Sequence, residues 1–378
     1  MDAKTAKDKL ALATEIRDAI EIVNVGSEYP KFLDAYLPAF TSLLESVPPT
    51  TSDGPEHKLR NVILEMMNRL PHNETLRPHD KALLKLAMDA LRKENEDNAL
   101  ICLRIIFDLH RNFRPSLESE GEPFLQFVCE VYKGVNETVT TTFGDETAGV
   151  KPLAADAVPT GVQTLSTRSF KVMTECPLII MLLFQLYARL IPPNIQMLLP
   201  LMVQTIALKG PAPSAVPSHL RQAFGDMKGS QVKMVSFVTY LLRGYAEAIL
   251  PHQEAISSSI VELLKSCPDN VAVRKELLVA TRHVLSAQDF RRGFYAHLDT
   301  LLDDEVLVGT GRACYDALRP LAYSFLAELV HHMRLELSLV QIRRAVYMFS
   351  RNVHDASLPL SIQMTCVRLM HHLVESIF

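Results

Sequence analysis

The chain has no tryptophan and only 14 glycines among its 378 residues. Glycine is therefore used at about half its average frequency, which leaves little material for turn-dense β architectures. Leu, Ala, Met, Arg, Lys and Glu are plentiful instead, and these residues favour helix. The single stretch rich in Thr and Val, "VNETVTTTFG", is polar and bounded by glycine, so it predicts a loop and not a strand. We expect an all-α protein.

Cysteine is also scarce. The six cysteines are at least 27 residues apart and form no Cys-x-x-Cys pair. They are Cys102, Cys129, Cys176, Cys267, Cys314 and Cys366. This spacing fits reduced thiols of an intracellular protein and argues against both a disulfide framework and a zinc finger.

Long apolar runs and a surplus of one charge are missing as well. The longest apolar block, "LIIMLLF", is far too short for a membrane span, and the start of the chain lacks the apolar core of a signal peptide. The net charge is −4, with Lys and Arg spread among acidic residues. This pattern argues against general binding to nucleic acids. We expect a soluble intracellular protein with no direct nucleic-acid partner and no membrane partner.

What the chain does contain is a repeat. Apolar residues recur at helical spacing in segments of similar length. "HKLRNVILEMMNRL" begins at 57, "EDNALICLRIIFDL" at 96, "VRKELLVATRHVLS" at 273, "YDALRPLAYSFLAEL" at 315 and "DASLPLSIQMTCVRLMHHL" at 355. Neighbouring segments are 39, 42 and 40 residues apart, the period of HEAT or armadillo helix pairs. The prediction is a HEAT-repeat-like α-solenoid of stacked antiparallel helix pairs.

Two pairs of histidines give the register of the repeat. The pairs at 331–332 and 371–372 are 40 residues apart, and a shift of 40 superposes Leu329 on Leu369. Adjacent residues project about 100° apart on a helix, so each pair offers at most one inward metal ligand. We expect these histidines to lie at the surface or its rim, with no metal.

Composition also divides the chain. We expect HEAT-like helical repeats in 1–133, a flexible loop at 134–168, and further repeats in 169–378 with a Pro- and Gly-rich loop at 209–230. The chain stops inside an apolar helix, at "HHLVESIF", without a C-cap. A terminal repeat normally has a polar outer face, so we expect a fragment of a much longer chain.

No motif for chemistry emerges. Gly309 and Gly311 precede a helix, as the glycines of a phosphate loop do. However, no strand pattern precedes them, a third glycine is missing and no Gly-Lys-Thr follows, so a turn between helices is favoured. No His-Glu-x-x-His or Gly-x-Ser-x-Gly occurs, and Cys267 has no evident cause for a lowered pKa. The acids at 303–305 suit the start of a helix. We therefore predict no enzyme and no catalytic, cofactor-binding or metal-binding residue.

A surface for partners is the remaining possibility. In "SCPDNVAVRKELLVATRHVLS", Asp269 or Asn270 can cap a helix, and an aspartate in the turn followed some five residues later by Val-Arg is the pattern of a HEAT repeat. The apolar residues of this helix fall near one face: Val273, Leu277, Ala280, Val284 and Leu285. Basic residues off that face are candidates for binding acidic partners: Arg104, Arg111, Arg114, Arg274, Lys275 and Arg282. The alternative is that these charges only solvate the surface.

Several blocks resemble a known family. They are "HKLRNVILEMMNRLP", "LRKENEDNALICLRIIFDLHRNF", "SFKVMTECPLIIMLLFQLY", "RKELLVATRHVLS" and "DDEVLVGTGRACYDALRPLAYSFLAELVHHMRLELS". Together they resemble the amino-terminal region of the TRRAP family, very large transcription coactivator subunits related to phosphatidylinositol 3-kinase-like kinases. The resemblance runs in order from about residue 20 to the end. It implies a helical solenoid, and it carries over a role without a specific site.

That role is a nuclear scaffold. The resemblance implies membership of histone acetyltransferase complexes such as SAGA, with contacts to transcription-factor activation domains, to other subunits and to the remainder of the same chain. The family's kinase-like domain lacks catalytic residues and has no counterpart in this sequence. We expect a non-catalytic scaffold segment in the nucleus, without cofactors. The alternative is a HEAT-repeat adaptor in nuclear transport or trafficking, which repeat periodicity alone does not separate from it.

Overall fold

The computed structural model describes residues 5–24, 26–144, 150–154 and 164–375. These residues are mainly helical. Within them no strand forms, and an isolated antiparallel bridge joins Asn95 to Leu165. The all-α prediction is confirmed.

The chain divides into two compact units, residues 1–198 and 199–378. The first contains α1 (Ala6–Asn24), α2 (Tyr29–Ser46), α3 (Pro55–Asn68), α4 (Asp80–Leu91), α5 (Glu96–Asn112), α6 (Glu122–Lys133), α7 (Val135–Phe143) and α8 (Phe170–Leu186), while α9 (Ile191–Ile206) continues into the second. Helices α1, α3, α5 and α8 pack one on the next as a layer, and α2, α4 and α6 lie against it. This is the arrangement of stacked helix pairs in a HEAT-type solenoid.

The second unit repeats the arrangement. It contains α10 (Arg221–Ile249), α11 (Gln253–Ser266), α12 (Val271–Ser286), α13 (Gln288–Arg291), α14 (Leu298–Leu301), α15 (Asp304–Leu307), α16 (Arg312–His332), α17 (Leu339–Val353) and α18 (Leu360–Glu375). Helices α10, α12, α16 and α18 form its layer, and α11 and α17 pack against that layer. All five repeat segments of the sequence become layer helices, namely α3, α5, α12, α16 and α18. The predicted repeat is confirmed.

Helix α12 shows how the sequence builds one element. The Asn270 side chain caps its start by accepting hydrogen bonds from the amides of Ala272 at 3.0 Å and Val273 at 3.2 Å. This satisfies two of the amides that a helix start leaves without partners. The apolar residues predicted for one face are buried, except that Val273 is only half-buried. Its hydrophobic stripe therefore faces the neighbouring helices.

The first loop prediction is partly wrong. Part of the stretch 134–168 forms helix α7, whose buried residues are Val135, Thr138, Val139 and Phe143. The helix forms because these side chains recur at helical spacing, and the Phe143 ring stacks on that of Phe170 with centroids 6.1 Å apart. Residues 145–149 and 155–163 of the predicted loop lie outside the described residues.

The second loop prediction, at 209–230, is wrong for its last ten residues. Helix α10 already begins at Arg221, and Phe224 and Met227 are buried one turn apart. A Cβ at Gly225 or Gly229 would meet nothing within 4 Å, so these glycines lie in open space on the helix. Glycine weakens an exposed helix by only about 1 kcal/mol relative to alanine, and burial of the apolar face outweighs that cost.

Among the described residues, no single helix is long and apolar enough to cross a membrane. The segments Phe170–Leu186 and Ala188–Ile206 reach that length and composition only together, as a bent pair.

Candidate partner-binding surface

Arg274 does not lie on the surface, contrary to the prediction. Its guanidinium is buried and donates through Nη2 to the carbonyls of Leu264 at 3.3 Å and Cys267 at 2.9 Å. Nη1 donates to the carbonyl of Val306 at 3.1 Å. The arginine of the Val-Arg pattern thus bonds to backbone carbonyls at the ends of other helices inside the repeat. It can do so because its side chain is long enough to bury its stem and extend to those carbonyls. Arg274 is not available to a partner.

The two glycines after α15 form a turn between helices, as predicted. Asp269 holds this turn, since its carboxylate accepts from the amide of Thr310 at 3.1 Å and from its hydroxyl at 2.5 Å. Gly309 has a φ of 100°, in the left-handed region where glycine is favoured. Asp303 caps α15 through the amide of Glu305 at 2.9 Å, so these acids serve helix starts.

The other two basic candidates of this unit, Lys275 and Arg282, are exposed on α12. Arg282 Nε lies 3.2 Å from Glu328 on α16 and links the two helices. Towards α10, Lys233 forms a similar link with Glu276 at 2.8 Å. The structure shows no hydrogen bond from Lys275 to any described residue. Charged side chains therefore follow the exposed side of the layer, some paired between helices.

A groove of about 320 Å³ opens between α12, α16 and α18. Its charged and polar lining consists of Arg282, Ser324, Glu328, His331, Thr365, Arg368 and His372; we call it the α12–α16–α18 groove. Two arginines face one glutamate there, which leaves one positive charge in excess before the histidines are counted. The rings of His331 and His372 approach each other with centroids 5.3 Å apart.

The histidines add a charge that depends on pH. Burial, with Arg334, His372 and Arg291 nearby, lowers the pKa of His331. Burial and Arg291, whose Nη1 lies 3.2 Å from the ring nitrogen Nδ1, likewise lower the pKa of His332. Both rings are half-buried, in keeping with the predicted rim position. In the parts of the chain that the structure describes, no cluster of His, Cys, Asp or Glu is arranged to hold a metal ion.

The candidates of the first unit lie in different surroundings. Arg104 of α5 is exposed and borders a groove of about 270 Å³ between α3, α5 and α8. Asp108 and Glu175 also line this groove, so its acids outnumber its base. Arg111 and Arg114 are exposed near the end of α5 but do not line it. These three residues are accessible, and the structure does not gather them into one positive site.

Arg368 and His372 were not among the predicted partner-binding residues. They are four residues apart on α18, which places both on one side of that helix. Two basic residues at positions i and i+4 of a helix are a signal that the sequence contains. The sequence does not show that they approach Arg282 and Glu328, because this depends on how α18 packs against α16.

Comparison with known proteins shows to which family the chain belongs. A family model described as "Tra1 HEAT repeat central region" matches residues 223–378. The chain is 36% identical to "Probable transcription-associated protein 1" of Dictyostelium discoideum, over 97% of this chain and 10% of that protein. It is 35% identical to "Transformation/transcription domain-associated protein" of Homo sapiens, over 98% of this chain and 10% of that protein. The chain belongs to the TRRAP/Tra1 family.

A yeast relative extends the comparison. The "SAGA complex/NuA4 acetyltransferase complex subunit TRA1" of Saccharomyces cerevisiae is 28% identical over 100% of this chain and 12% of that protein. The chain thus spans about a tenth of the length of these TRRAP/Tra1 relatives. The resemblance to the TRRAP family and the HEAT-repeat fold are confirmed. The resemblance was to the amino-terminal region, whereas the family model that matches residues 223–378 is described as a central region. The family comprises transcription-associated proteins, which favours a transcription scaffold over the transport adaptor.

Proposed function

We propose that this chain is a non-catalytic scaffold segment of a nuclear histone acetyltransferase complex and that its α12–α16–α18 groove binds acidic activation domains. The name of the yeast relative, a subunit of SAGA and NuA4, supports the first part. The excess of Arg282 and Arg368 over Glu328 in the groove carries the second. An acidic peptide can pair with the free donors of Arg368 while Arg282 remains linked to Glu328.

The groove is suited to an amphipathic peptide because it offers apolar contact beside charge. Ala327 and Leu369 line it but are only 4% and 3% exposed, so the accessible apolar contact beside it comes from α12, where Val279, 37% exposed, lies one turn from Arg282. Ion pairs in such a partly desolvated site set specificity and association rate. Apolar side chains add affinity as they leave water.

The layer also meets the mechanical requirement of a scaffold. Links between helices, such as Lys233–Glu276 and Arg282–Glu328, hold neighbouring helices in fixed positions. A surface fixed before binding loses less conformational entropy when a partner docks. Such a surface binds partners by complementarity and needs no catalytic group.

Further contacts concern other subunits and the rest of the longer protein. Four large apolar side chains on α17 and α18 are 68–79% exposed: Leu339, Val340, Tyr347 and Leu360. We assign them to contacts with further helices of the same protein, since the relatives are about ten times longer than this chain. Large exposed apolar groups are typical of surfaces that a partner covers.

The activator proposal is tested by titrating a fluorescently labelled acidic activation-domain peptide into the chain at low salt. Charge reversal of Arg282 and Arg368 together (R282E, R368E) should weaken binding at least about tenfold, since the positive excess of the groove is replaced by negative side chains that repel the acidic peptide. R312E is the matched control, because the Arg312 side chain is 96% exposed at the start of α16 and lies outside the groove lining.

The expected result is saturable binding that weakens as salt rises, with R312E equal to the native chain. A peptide of equal length with its acids changed to amides should not saturate. If the double variant keeps native affinity while circular dichroism shows it folded, the groove is not the activator site. If no acidic peptide binds the native chain, the activator role of this segment is wrong.

A further inference from the structure

Helix α10 carries a lysine inside the second unit. Lys228 is 2% exposed. Its Nζ donates to the hydroxyl of Ser266 at 2.8 Å and lies 5.4 Å from the centre of the Phe224 ring. The structure gives Lys228 no ion pair with a described carboxylate. A buried ammonium without a counterion is costly, so this position calls for an explanation.

Lys228 lines a cleft of about 490 Å³. The cleft lies between α10, α11 and the segment 206–213 before α10. Its polar lining includes Lys209, Ser259, Glu262 and Lys265, with Lys265 paired to Glu262 at 2.6 Å. That ion pair cancels, which leaves the charges of Lys209 and Lys228 uncompensated. The cleft is therefore positively charged from its buried wall to its exposed rim.

A second buried side chain, that of Gln231, lines the same cleft, and one of its polar atoms has no hydrogen-bond partner. The Nε2 of Gln231 donates to the carbonyls of Thr205 at 3.3 Å, Ile206 at 2.8 Å and Leu208 at 3.1 Å. These bonds fix the orientation of the amide. Its Oε1 is buried and accepts no hydrogen bond. Buried polar atoms in native proteins are nearly always satisfied, and one helical turn separates Gln231 from Lys228.

The geometry points to a binding site for a phosphate group, in which Lys228 and Lys209 contact the phosphate oxygens and Gln231 Oε1 accepts a hydrogen bond from the protonated oxygen. The donor requirement excludes an ionised carboxylate, which can only accept. A phosphate has its second pKa near 6, so a singly protonated form is accessible near neutral pH. It supplies an anion and a donor together. The site is independent of the activator groove.

The ionisation of Lys228 supports this assignment. Burial lowers its pKa to about 8. A bound anion favours the charged ammonium and raises that pKa again. Binding of phosphate near pH 8 should therefore be accompanied by uptake of a proton, which is visible when the heat of binding is compared between buffers of different ionisation enthalpy.

The test is calorimetric titration of three probes into the 378-residue chain at pH 6.5: inorganic phosphate, a phosphoserine peptide and sulfate. Sulfate is the matched probe, because it has the size and shape of phosphate but carries no proton at this pH. Phosphate should bind more tightly than sulfate. K228M should lose at least about tenfold in affinity, the range expected for a charge-assisted hydrogen bond. K275M removes an exposed lysine outside the cleft and should bind as the native chain does.

Saturable binding of inorganic phosphate supports a small phosphorylated ligand, and binding of the phosphoserine peptide alone supports a phosphorylated protein segment as the source. K228M should fold, because methionine fills the same space without a charge, and circular dichroism checks this. Binding of neither probe, equal binding of sulfate, or unchanged affinity in K228M overturns the proposal.

Discussion

Arg60 and Arg274 make the same contact in their two units. Arg60 of α3 donates through Nη1 to the carbonyls of Leu44, at 2.6 Å, and Val47 at the end of α2. Arg274 of α12 donates through Nη2 to the two corresponding carbonyls at the end of α11. In both cases the acceptors are the C-cap residue and the residue three positions before it. The last carbonyls of a helix lack hydrogen-bond donors within that helix. Here an arginine of the following helix donates these hydrogen bonds.

The counterions of these two arginines differ. Arg60 Nε lies 2.5 Å from Glu94, and both side chains are at least 98% buried. Arg274 Nε lies 3.5 Å from Asp269, whose side chain is 33% exposed. Water can therefore stabilise Asp269 if its arginine is removed, whereas Glu94 has no access to water. The same structural contact should have different energetic weight in the two units.

The variant R60M should lower the free energy of unfolding by about 3–5 kcal/mol, because it leaves Glu94 charged and buried without its counterion. R274M should cost less. The measurement is urea unfolding followed by circular dichroism, with R312M as an exposed control that should match the native chain. Adding E94Q to R60M should recover part of the loss. Equal losses in R60M and R274M would contradict the argument from burial of the counterion.

Glycine should be required at Gly309 and dispensable at Gly229. A Cβ at Gly309 would collide with Asp269 Oδ1, and its φ of 100° is unfavourable for other residues. We expect G309A to destabilise the chain by about 1–3 kcal/mol. G229A in α10 should be neutral or stabilise by up to about 1 kcal/mol, because the site is open and helical. Thermal unfolding of both variants compares them directly, and a stable G309A would show that the turn relaxes.

The sequence predicted the helices and their period but not all of the surface. Periodicity alone identified five layer helices, because each buries an apolar stripe. Periodicity placed Arg274 on the exposed side of α12, because it gives only the direction in which a side chain leaves the helix. The flexible arginine side chain can turn back from that direction to reach backbone carbonyls. Helix α7 was missed because threonine lowers helix propensity, while contacts such as Phe143–Phe170 compensate for it in the fold.

The groove shows the same limit. Arg282, Glu328 and Arg368 are ordinary charged helix residues in sequence, 46 and 40 positions apart. They share a groove only because α12, α16 and α18 pack in succession. Local patterns do not contain that information, whereas the repeat period, once recognised, indicates which helices become neighbours.

Acid should destabilise the first unit through His110. This side chain is fully buried, 3.1 Å from the Tyr187 hydroxyl, and burial lowers its pKa from 6.5 to about 4. The unfolded chain therefore binds this proton first as the pH falls. The contribution is complete above pH 6.5 and is lost between pH 6.5 and 4, by about 3 kcal/mol in total.

Urea unfolding at pH 7.5, 6.5, 5.5 and 4.5 measures this effect. The variant H110Q should show a smaller loss of stability than the native chain over the same range. H283Q is the control, since His283 is exposed on α12 and its variant should follow the native profile. If H110Q and the native chain lose stability in parallel, His110 does not titrate as its burial indicates.

Acid should have the opposite effect on binding at the α12–α16–α18 groove. His331 faces Arg334, His372 and Arg291, which together with burial lower its pKa, so it is mainly neutral at pH 7.5. The carboxylates of an acidic peptide stay ionised down to about pH 5. As the pH falls from 7.5 to 5.5, His331 gains charge beside Arg282 and Arg368, and a bound anion makes that protonation easier. Affinity for the peptide should therefore rise over this interval.

H331Q should bind with a smaller pH slope than the native chain, with His372 still lining the groove, while H283Q should keep the native slope. Fluorescence anisotropy at four pH values, with circular dichroism to confirm folding at each, gives the comparison. A slope unchanged in H331Q would mean that the pH dependence does not come from His331.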